Sequence, residues 1–289
     1  MPKATARQRA LGQYWTPRPL AEFMLEVARP QPHWKVIDPA CGEGVFLECA
    51  LERGVQQVVG IDIDPEPLER ARERLRPYGE RVRLYLQDGL LPIQDPDPYW
   101  QGDYDLVIGN PPYAATGYRI REPKLLERFE LSREPEPSEQ ASLFEEPRYR
   151  RGRRKPSVAI EILFLERFFQ LCKSGGMVAI IAPRGIAANR NTRYVREWLV
   201  RKHSLRCIFE PDVSAFQGMG ANALTSIFIA DNYPSCRSDK VMLAALPVAD
   251  WNRSLYAPEN ADLLEMAHIA AEVVDYSRAE SHSNCAQKV

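Results

Sequence analysis

The chain has 289 residues, with 38 Lys and Arg against 39 Asp and Glu, a formal net charge of −1. Hydrophobic residues make up 45% and charged residues 27%, the balance of a globular chain with enough apolar mass for a true core. That composition excludes a strongly basic coat protein and an acidic disordered tail, yet allows a nucleic-acid enzyme whose positive charge is confined to one patch. The longest apolar runs, such as Met177–Pro183, fall far short of the roughly 20 residues that span a bilayer, and residues 1–10 hold no apolar signal-peptide core, so a cytoplasmic protein is expected. The six cysteines (Cys41, Cys49, Cys172, Cys207, Cys236, Cys285) form no Cys-x-x-Cys, and the four histidines are dispersed. No metal site is expected, and the thiols read as reduced.

Strand and helix signals alternate from residue 34 to about residue 110. Trp34–Asp38 is a short apolar strand, and Val45–Gly54 a helix stopped at a glycine. Val58–Ile63 is a second strand, and Pro65–Arg76 a charged amphipathic helix with prolines at its start. Arg81–Gln87 alternates polar and apolar residues as a strand does, and Tyr104–Gly109 is a fourth strand. Residues 117–157 are rich in Pro, Glu and Arg and read as a long, mobile insertion. Alternation then resumes with an apolar helix over Ala159–Cys172, stopped by Ser174-Gly175-Gly176, and a buried strand over Met177–Pro183. Thr192–His203 is amphipathic, and Leu205–Glu210, Ala223–Ala230 and Val241–Leu246 are further strands. A helix is expected over 260–276, followed by a polar tail. Strands and helices in this order predict an α/β fold: a mostly parallel sheet with helices on both faces. The expected organisation is one domain over residues 1–245, with a C-terminal strand and helix extension over 246–289. In such sheets ligands bind beyond the carboxyl ends of the strands.

Those strand ends carry the chemistry. The first ends in Asp38-Pro39-Ala40-Cys41-Gly42-Glu43-Gly44 and then enters a helix; its two glycines let a ligand approach the backbone, though a tight turn alone has the same pattern. It lacks the full Gly-x-Gly-x-x-Gly of a dinucleotide fold. The second ends in Asp62-Ile63, where a carboxylate either accepts both hydroxyls of a ribose or caps the following helix. The third ends in Gln87-Asp88-Gly89, where a carboxylate can take an amino hydrogen from a purine. The fourth ends in Asn110-Pro111-Pro112-Tyr113. Two successive prolines force a rigid extended loop, which holds the Asn110 amide oxygen and the Pro111 carbonyl as a pair of acceptors for one NH2 group. Tyr113 then offers a ring on which a base can stack.

Taken in this order and spacing, Asp38-Pro-Ala-Cys-Gly-x-Gly44, Gly60-Ile-Asp62, Gln87-Asp88 and Asn110-Pro-Pro-Tyr113 resemble the motifs of S-adenosylmethionine-dependent amino-group methyltransferases. Gly12-Gln13-Tyr14-Trp15-Thr16-Pro17 is similar to the segment that precedes them in gamma-class adenine-N6 DNA methyltransferases of restriction–modification systems. The resemblance covers roughly residues 10–230 and implies the Rossmann-like fold of those enzymes. It implies a cofactor site formed by Tyr14, Thr16, Asp38, Ala40, Cys41, Gly42, Gly44, Asp62, Ile63, Asp88, Gly89 and Asn110. The reaction implied is methyl transfer to the N6 amine of an adenine flipped out of DNA, with Asn110, Pro111, Pro112 and Tyr113 as the catalytic set. Thr16 reads equally as the N-cap of a helix that begins at Pro17 and buries Leu20, Phe23, Met24 and Val27. The reaction needs no covalent intermediate, so Cys41 reads as structural.

Phe216 is either the second stacking face for the base or a core residue. Arg148, Arg150, Arg151, Arg153, Arg154 and Lys155 place six basic residues in eight positions, either a phosphate-contacting loop or a solvated one. Gln140–Phe144 is similar to peptides that dock on the replication sliding clamp; otherwise Leu143 and Phe144 pin the loop to the body. Asn-Pro-Pro-Tyr also occurs in ribosomal-RNA and release-factor glutamine methyltransferases, so RNA or protein is the alternative substrate, and a non-catalytic cofactor- or DNA-binding subunit the alternative class. Residues after Ala230 are too few for a complete target-recognition domain, so a separate specificity subunit, a longer chain or low specificity is expected.

Overall fold

The computed structural model describes residues 16–113, 118–134, 152–211, 224–234, 240–246 and 271–275. Helix α1 (Arg18–Ala28) leads into β1 (Lys35–Asp38), α2 (Val45–Glu52), β2 (Gln57–Asp62), α3 (Pro65–Leu75), β3 (Val82–Leu86) and β4 (Tyr104–Gly109). After β5 (Arg119–Ile120), α4 (Pro123–Leu126) and β6 (Val158–Ala159), the chain forms α5 (Ile160–Leu171), β7 (Cys172–Pro183), α6 (Gly185–Ala188) and α7 (Arg193–Lys202). Four further strands follow: β8 (Ser204–Pro211), β9 (Thr225–Asp231), β10 (Lys240–Leu246) and β11 (Ala271–Asp275).

Nine strands form one sheet in the order β3-β2-β1-β4-β7-β9-β8-β10-β11. The pairs β1–β2, β2–β3, β1–β4, β4–β7 and β8–β10 are parallel. Strand β9 runs against both its neighbours, β7 and β8, and β11 runs against β10. The strand order reverses between β1 and β4, which creates a crevice at their carboxyl ends.

Alternation along the strands divides the core between two faces. Val36, Val58, Leu106, Ile108 and Ala179 pack with α1, α2 and α3, while Ile37, Val59, Val107, Val178 and Ile180 pack with α5 and α7. Each large side chain fully buried this way contributes about 1.5–3 kcal/mol. Helix α1 buries Leu20, Phe23, Met24 and Leu25, with Phe23 edge-on to Phe209 of β8 at 5.0 Å; Val27 is only partly buried.

Three expectations need correction. Helix α1 begins at Arg18, with Pro17 at the cap position and no side-chain cap, so Thr16 is not its N-cap. Helix α5 ends at Leu171 and strand begins at once at Cys172, before the glycine pair, because Ser174–Gly176 bulge within β7 rather than separate it from the helix. Ala271–Asp275, expected as helix, is strand: Val273 and Val274 are β-branched and pair with Met242 and Val241 at the edge of the sheet. The insertion is anchored at both ends. Strand β5 pairs with β6, and Leu125, Leu126, Phe129 and Leu131 are buried against the body. Glu166 of α5 accepts the backbone N–H groups of Glu130 and Leu131 at 2.7 and 2.8 Å. Burial pushes its carboxyl up to about 7, against the pull of those two bonds.

Candidate active site

The carboxyl ends of β1, β2, β3 and β4 are tied to one another by short contacts. At the end of β1, Asp38 is buried and its Oδ1 accepts the Ala40 N–H at 3.0 Å. The turn is held to β2 by the Cys41 N–H, which donates to the Ile61 carbonyl at 2.8 Å. Gly42 (φ +52°) then donates its N–H to Asp62 Oδ2 at 2.8 Å, and Gly44 (φ +78°) opens α2. Both conformations are left-handed, which favours glycine. A Cβ at Gly42 would meet nothing within 4 Å, so the turn has an open side there.

Asp62 is the hub of this edge. Its second oxygen, Oδ1, accepts the Asp64 N–H at 2.8 Å, and its carbonyl accepts the Gln87 N–H at 3.0 Å, which joins β2 to the loop after β3. The cap of α3 is Asp64, whose side chain accepts from Glu66 N at 3.2 Å; the helix-cap reading of Asp62 is therefore wrong. Burial raises the Asp62 carboxyl above the ordinary range, opposed by its backbone N–H bonds. Burial also pushes Asp38 up to about 8, with the Ala40 N–H opposing and the charge of Asp62 adding to the rise. Beside Asp62, Ile63 is 61% exposed, an uncovered apolar surface next to a carboxylate.

After β3, Asp88 Oδ1 accepts the Leu90 N–H at 2.9 Å. Gly89 lies so close to the β1 turn that a Cβ there would come within 2.0 Å of the Pro39 carbonyl oxygen. Arg167 of α5, buried, holds this loop by donating to the carbonyls of Gly89 and Leu91 at 3.1 and 2.7 Å. Burial lowers its guanidinium to about 10. Arg167 was not among the expected site residues; its only signal is a charged pair, Glu166-Arg167, in the middle of a helix otherwise apolar between Ile162 and Phe169.

At the end of β4, Gly109 abuts Asp38: a Cβ would lie 2.5 Å from Asp38 Oδ1. Asn110 follows, with Nδ2 donating to Thr16 Oγ1 at 3.1 Å. Thr16 is thus joined to the fourth strand end rather than to the start of α1. Pro111 is buried and Pro112 half-buried, and Tyr113 is 2% exposed, so its ring does not stand open as a stacking platform. Cys41 is buried, and burial holds its thiol well above the usual range, which suits a structural role.

The profile of the N-6 DNA methylase family matches residues 2–289, essentially the entire chain. The chain belongs to the N-6 DNA methylase family. Among proteins similar to this family member is the type II methyltransferase M.TthHB8I of Thermus thermophilus, 36% identical over 123 residues, 41% of this chain and 25% of that one. Similar folds include a modification subunit of a putative type I restriction enzyme from Vibrio vulnificus (TM-score 0.64, 20% identity, 94% of this chain and 57% of that one). A type I restriction-modification methyltransferase subunit from Streptococcus thermophilus is also similar (TM-score 0.66, 18% identity, 92% and 56%). The chain spans about a quarter of the curated relative and just over half of each of these two structures. The Rossmann-like methyltransferase fold expected from the sequence is the one observed.

Not every residue expected at the site of this N-6 DNA methylase gathers there. Tyr14, Phe216, Arg148, Arg150, Arg151 and the peptide Gln140–Phe144 lie outside the described residues. Of the remaining basic run, Arg153 is exposed, Arg154 pairs with Glu127 at 3.0 Å, and Lys155 sits 3.3 Å from the Tyr194 ring centroid while donating to the Leu131 carbonyl. Burial lowers the Lys155 ammonium to about 8. Arg154 and Lys155 are therefore committed to the insertion's own base. Among the described residues, the group closest to a metal-ligand set is Glu22, Cys49 and Glu52 on α1 and α2, and Arg18 pairs with both glutamates. No helix among the described residues is long and apolar enough to cross a membrane.

Proposed function

We propose that this chain transfers the methyl group of S-adenosylmethionine to the exocyclic N6 amine of an adenine flipped out of DNA, as the modification component of a restriction–modification system. The observation that carries the reading is the Asn110–Thr16 hydrogen bond. With Nδ2 turned to Thr16, the amide's Oδ1 side faces the other way, the polarity that an amine donor requires. Oδ1 and the Pro111 carbonyl would each accept one N–H of the amine. That pairing draws the nitrogen lone pair out of the aromatic ring and onto the nitrogen, and fixes it for in-line attack. Tyr113 follows this pair after Pro112, and its ring would have to be uncovered to stack on the base.

The residues present suit the cofactor. The open side of Gly42, the exposed apolar face of Ile63 and the carboxylate of Asp62 adjoin one another at the end of β2. When bound, S-adenosylmethionine supplies an electrophilic methyl group on a sulfonium. Asp62 would hold the ribose hydroxyls, Ile63 the face of the cofactor's adenine and Asp88 its amino group. Ala40, Cys41, Gly42, Gly44 and Thr16 would line the methionine end, with Gly89 and Asn110 closing the floor. Sequence recognition would come from a specificity subunit or from further residues of the protein; the two type I relatives are themselves named as subunits.

Transfer of tritiated methyl from S-adenosylmethionine to genomic DNA, followed by identification of the labelled nucleoside, tests this reading. The expected product is N6-methyldeoxyadenosine, and Asn110→Ala is expected to cost about 10²–10³ in rate, by analogy with loss of one preorganised hydrogen-bonding group. Label in RNA or protein instead of DNA, or an Asn110→Ala protein with full rate and intact cofactor binding, would overturn it.

A further inference from the structure

Charge is not spread evenly over this chain. Residues 184–206 hold seven basic residues (Arg184, Arg190, Arg193, Arg196, Arg201, Lys202, Arg206) and one acid, Glu197, a local +6 in a protein whose total is −1. Helix α3 shows the opposite pattern. It carries Glu66, Glu69 and Glu73 with Arg70, Arg72 and Arg74, and five ion pairs link its arginines to nearby glutamates. Within 184–206 the acids that meet Arg184, Lys202 and Arg206 come from other elements (Glu210, Glu130 and Asp231), which leaves the turn around Arg190 without a carboxylate of its own.

The segment also has a defined place. Strand β7 lies beside β4 in parallel, with Ile180 level with Gly109, so Ile181–Pro183 carry the chain about 10 Å beyond the level of Gly109 on the carboxyl side. The turn that follows is wired to itself. The Thr192 hydroxyl donates to the Gly185 carbonyl at 2.7 Å, and Arg196 donates to the carbonyls of Ile186 and Asn189 at 2.8 Å each. Ile186 is buried as an anchor, and Arg184 is tied to Glu210 at 2.9 Å. Besides the paired Arg184 and the small Ala188, this braced turn presents Asn189, Arg190, Asn191 and Arg193 to solvent. Arg190 pairs with no carboxylate among the described residues, and Arg193 meets only Glu197, one helical turn along, while remaining 77% exposed. A single exposed i,i+4 pair of this kind is weak and exchanges readily.

We propose that the turn Arg184–Arg193 is a phosphate-binding ledge for the DNA strand that carries the target base, with Arg190 and Arg193 as its contacts. This rests on DNA being the substrate. A base extruded toward Asn110 leaves its flanking sugar-phosphate backbone above the carboxyl edge of the sheet, where the ledge stands. The ledge contributes charge and positioning but no base reading, and its arginines stay clear of the reacting atoms. The turn after β7 thus supplies positive charge beside the carboxyl edge of the sheet.

The test compares the whole protein with the double variant Arg190→Gln/Arg193→Gln, using duplex DNA as the probe in the presence of S-adenosylmethionine. The slope of log binding constant against log salt should become shallower by about 0.9 per contact, about 1.8 for the pair. DNA KM should rise at physiological salt, with kcat at saturating DNA, cofactor affinity and melting temperature unchanged. Arg201→Gln, at the far end of α7, should leave the slope as it was; a change equal to the double variant's would overturn the placement. A double variant that keeps the parent slope while the parent methylates DNA overturns the ledge and leaves the DNA reading standing. A parent that binds S-adenosylmethionine but shows no salt-dependent DNA binding overturns both.

Discussion

Replacing Thr16 by Val keeps the side chain's shape and removes the acceptor that holds the Asn110 amide. The bond is 3.1 Å long and half-buried at both ends, so its net worth falls in the ordinary range of about 0.5–1.5 kcal/mol. If all of it serves to keep the Oδ1 side toward the amine, the chemical step slows by about twofold to tenfold. That is well short of the 10²–10³ expected for Asn110→Ala, because the variant still has an amide that reaches the productive orientation part of the time. The assay is a single-turnover methyl transfer with DNA and S-adenosylmethionine both saturating, and cofactor affinity is measured separately by calorimetry. Thr16→Ser retains the hydroxyl and should recover most of the rate. If Thr16 served only the cofactor, the loss would appear in cofactor affinity with the single-turnover rate intact. That result would refute the argument.

Gly109→Ala places a methyl 2.5 Å from Asp38 Oδ1; overpacking of this kind costs about 1–3 kcal/mol, and thermal denaturation should show it together with weaker cofactor binding. The Asp38 carboxyl is raised to about 8 from an unfolded value near 3.9. The native state thus keeps a proton that the unfolded chain has lost, so this stability is fully present below about pH 4 and disappears as pH rises through about 8. Without cofactor the melting temperature should fall between pH 5 and 8.5, and Asp38→Asn should flatten the fall only in part, since Asp62 and Glu166 are shifted the same way. Parallel curves for the two proteins would count against it. Glu166→Gln removes one of two acceptors for the Glu130 and Leu131 N–H groups. It should cost about 1–3 kcal/mol by chemical denaturation and make the base of the insertion more susceptible to protease.

The cofactor half of the fold was legible because each of its signals is local. Val36 and Ile37, Val58 and Val59, and Leu106 and Val107 face opposite sides of the sheet, and a glycine, acidic or proline-rich turn closes each strand. Asp62 and Asp64 were harder to separate, because two aspartates two residues apart before a proline give the same N-cap pattern. Only the contacts with Gly42 and Glu66 assign one to the strand end and the other to the helix. Thr16 misled for the same reason: Thr-Pro reads as a helix start, and its true partner is 94 residues away. Ala271–Asp275 lies in a stretch with helical spacing that strand pairing at the edge of the sheet overrides. The arginines of the turn after β7 are spaced along a turn and a helix, whereas those at 148–155 are six in eight positions and stand out in the sequence. Clustering in space and clustering in sequence are different properties.

Strand β9 has a consequence for how such a protein can diversify. Because it runs against β7 and β8, Thr225 stands opposite Pro183, and β8 ends nearby at Pro211. Pro211 and Thr225 therefore stand at the same rim of the sheet as Asn110. Had β9 been parallel to β8, the return would have required a crossover across one face, and any change in its length would have disturbed a packed helix layer. An antiparallel pair needs no crossover, and in general doubling the length of a flexible connection costs only about 0.6 kcal/mol. Descendants of this chain could change what lies between Pro211 and Thr225 while the sheet beneath folds as before.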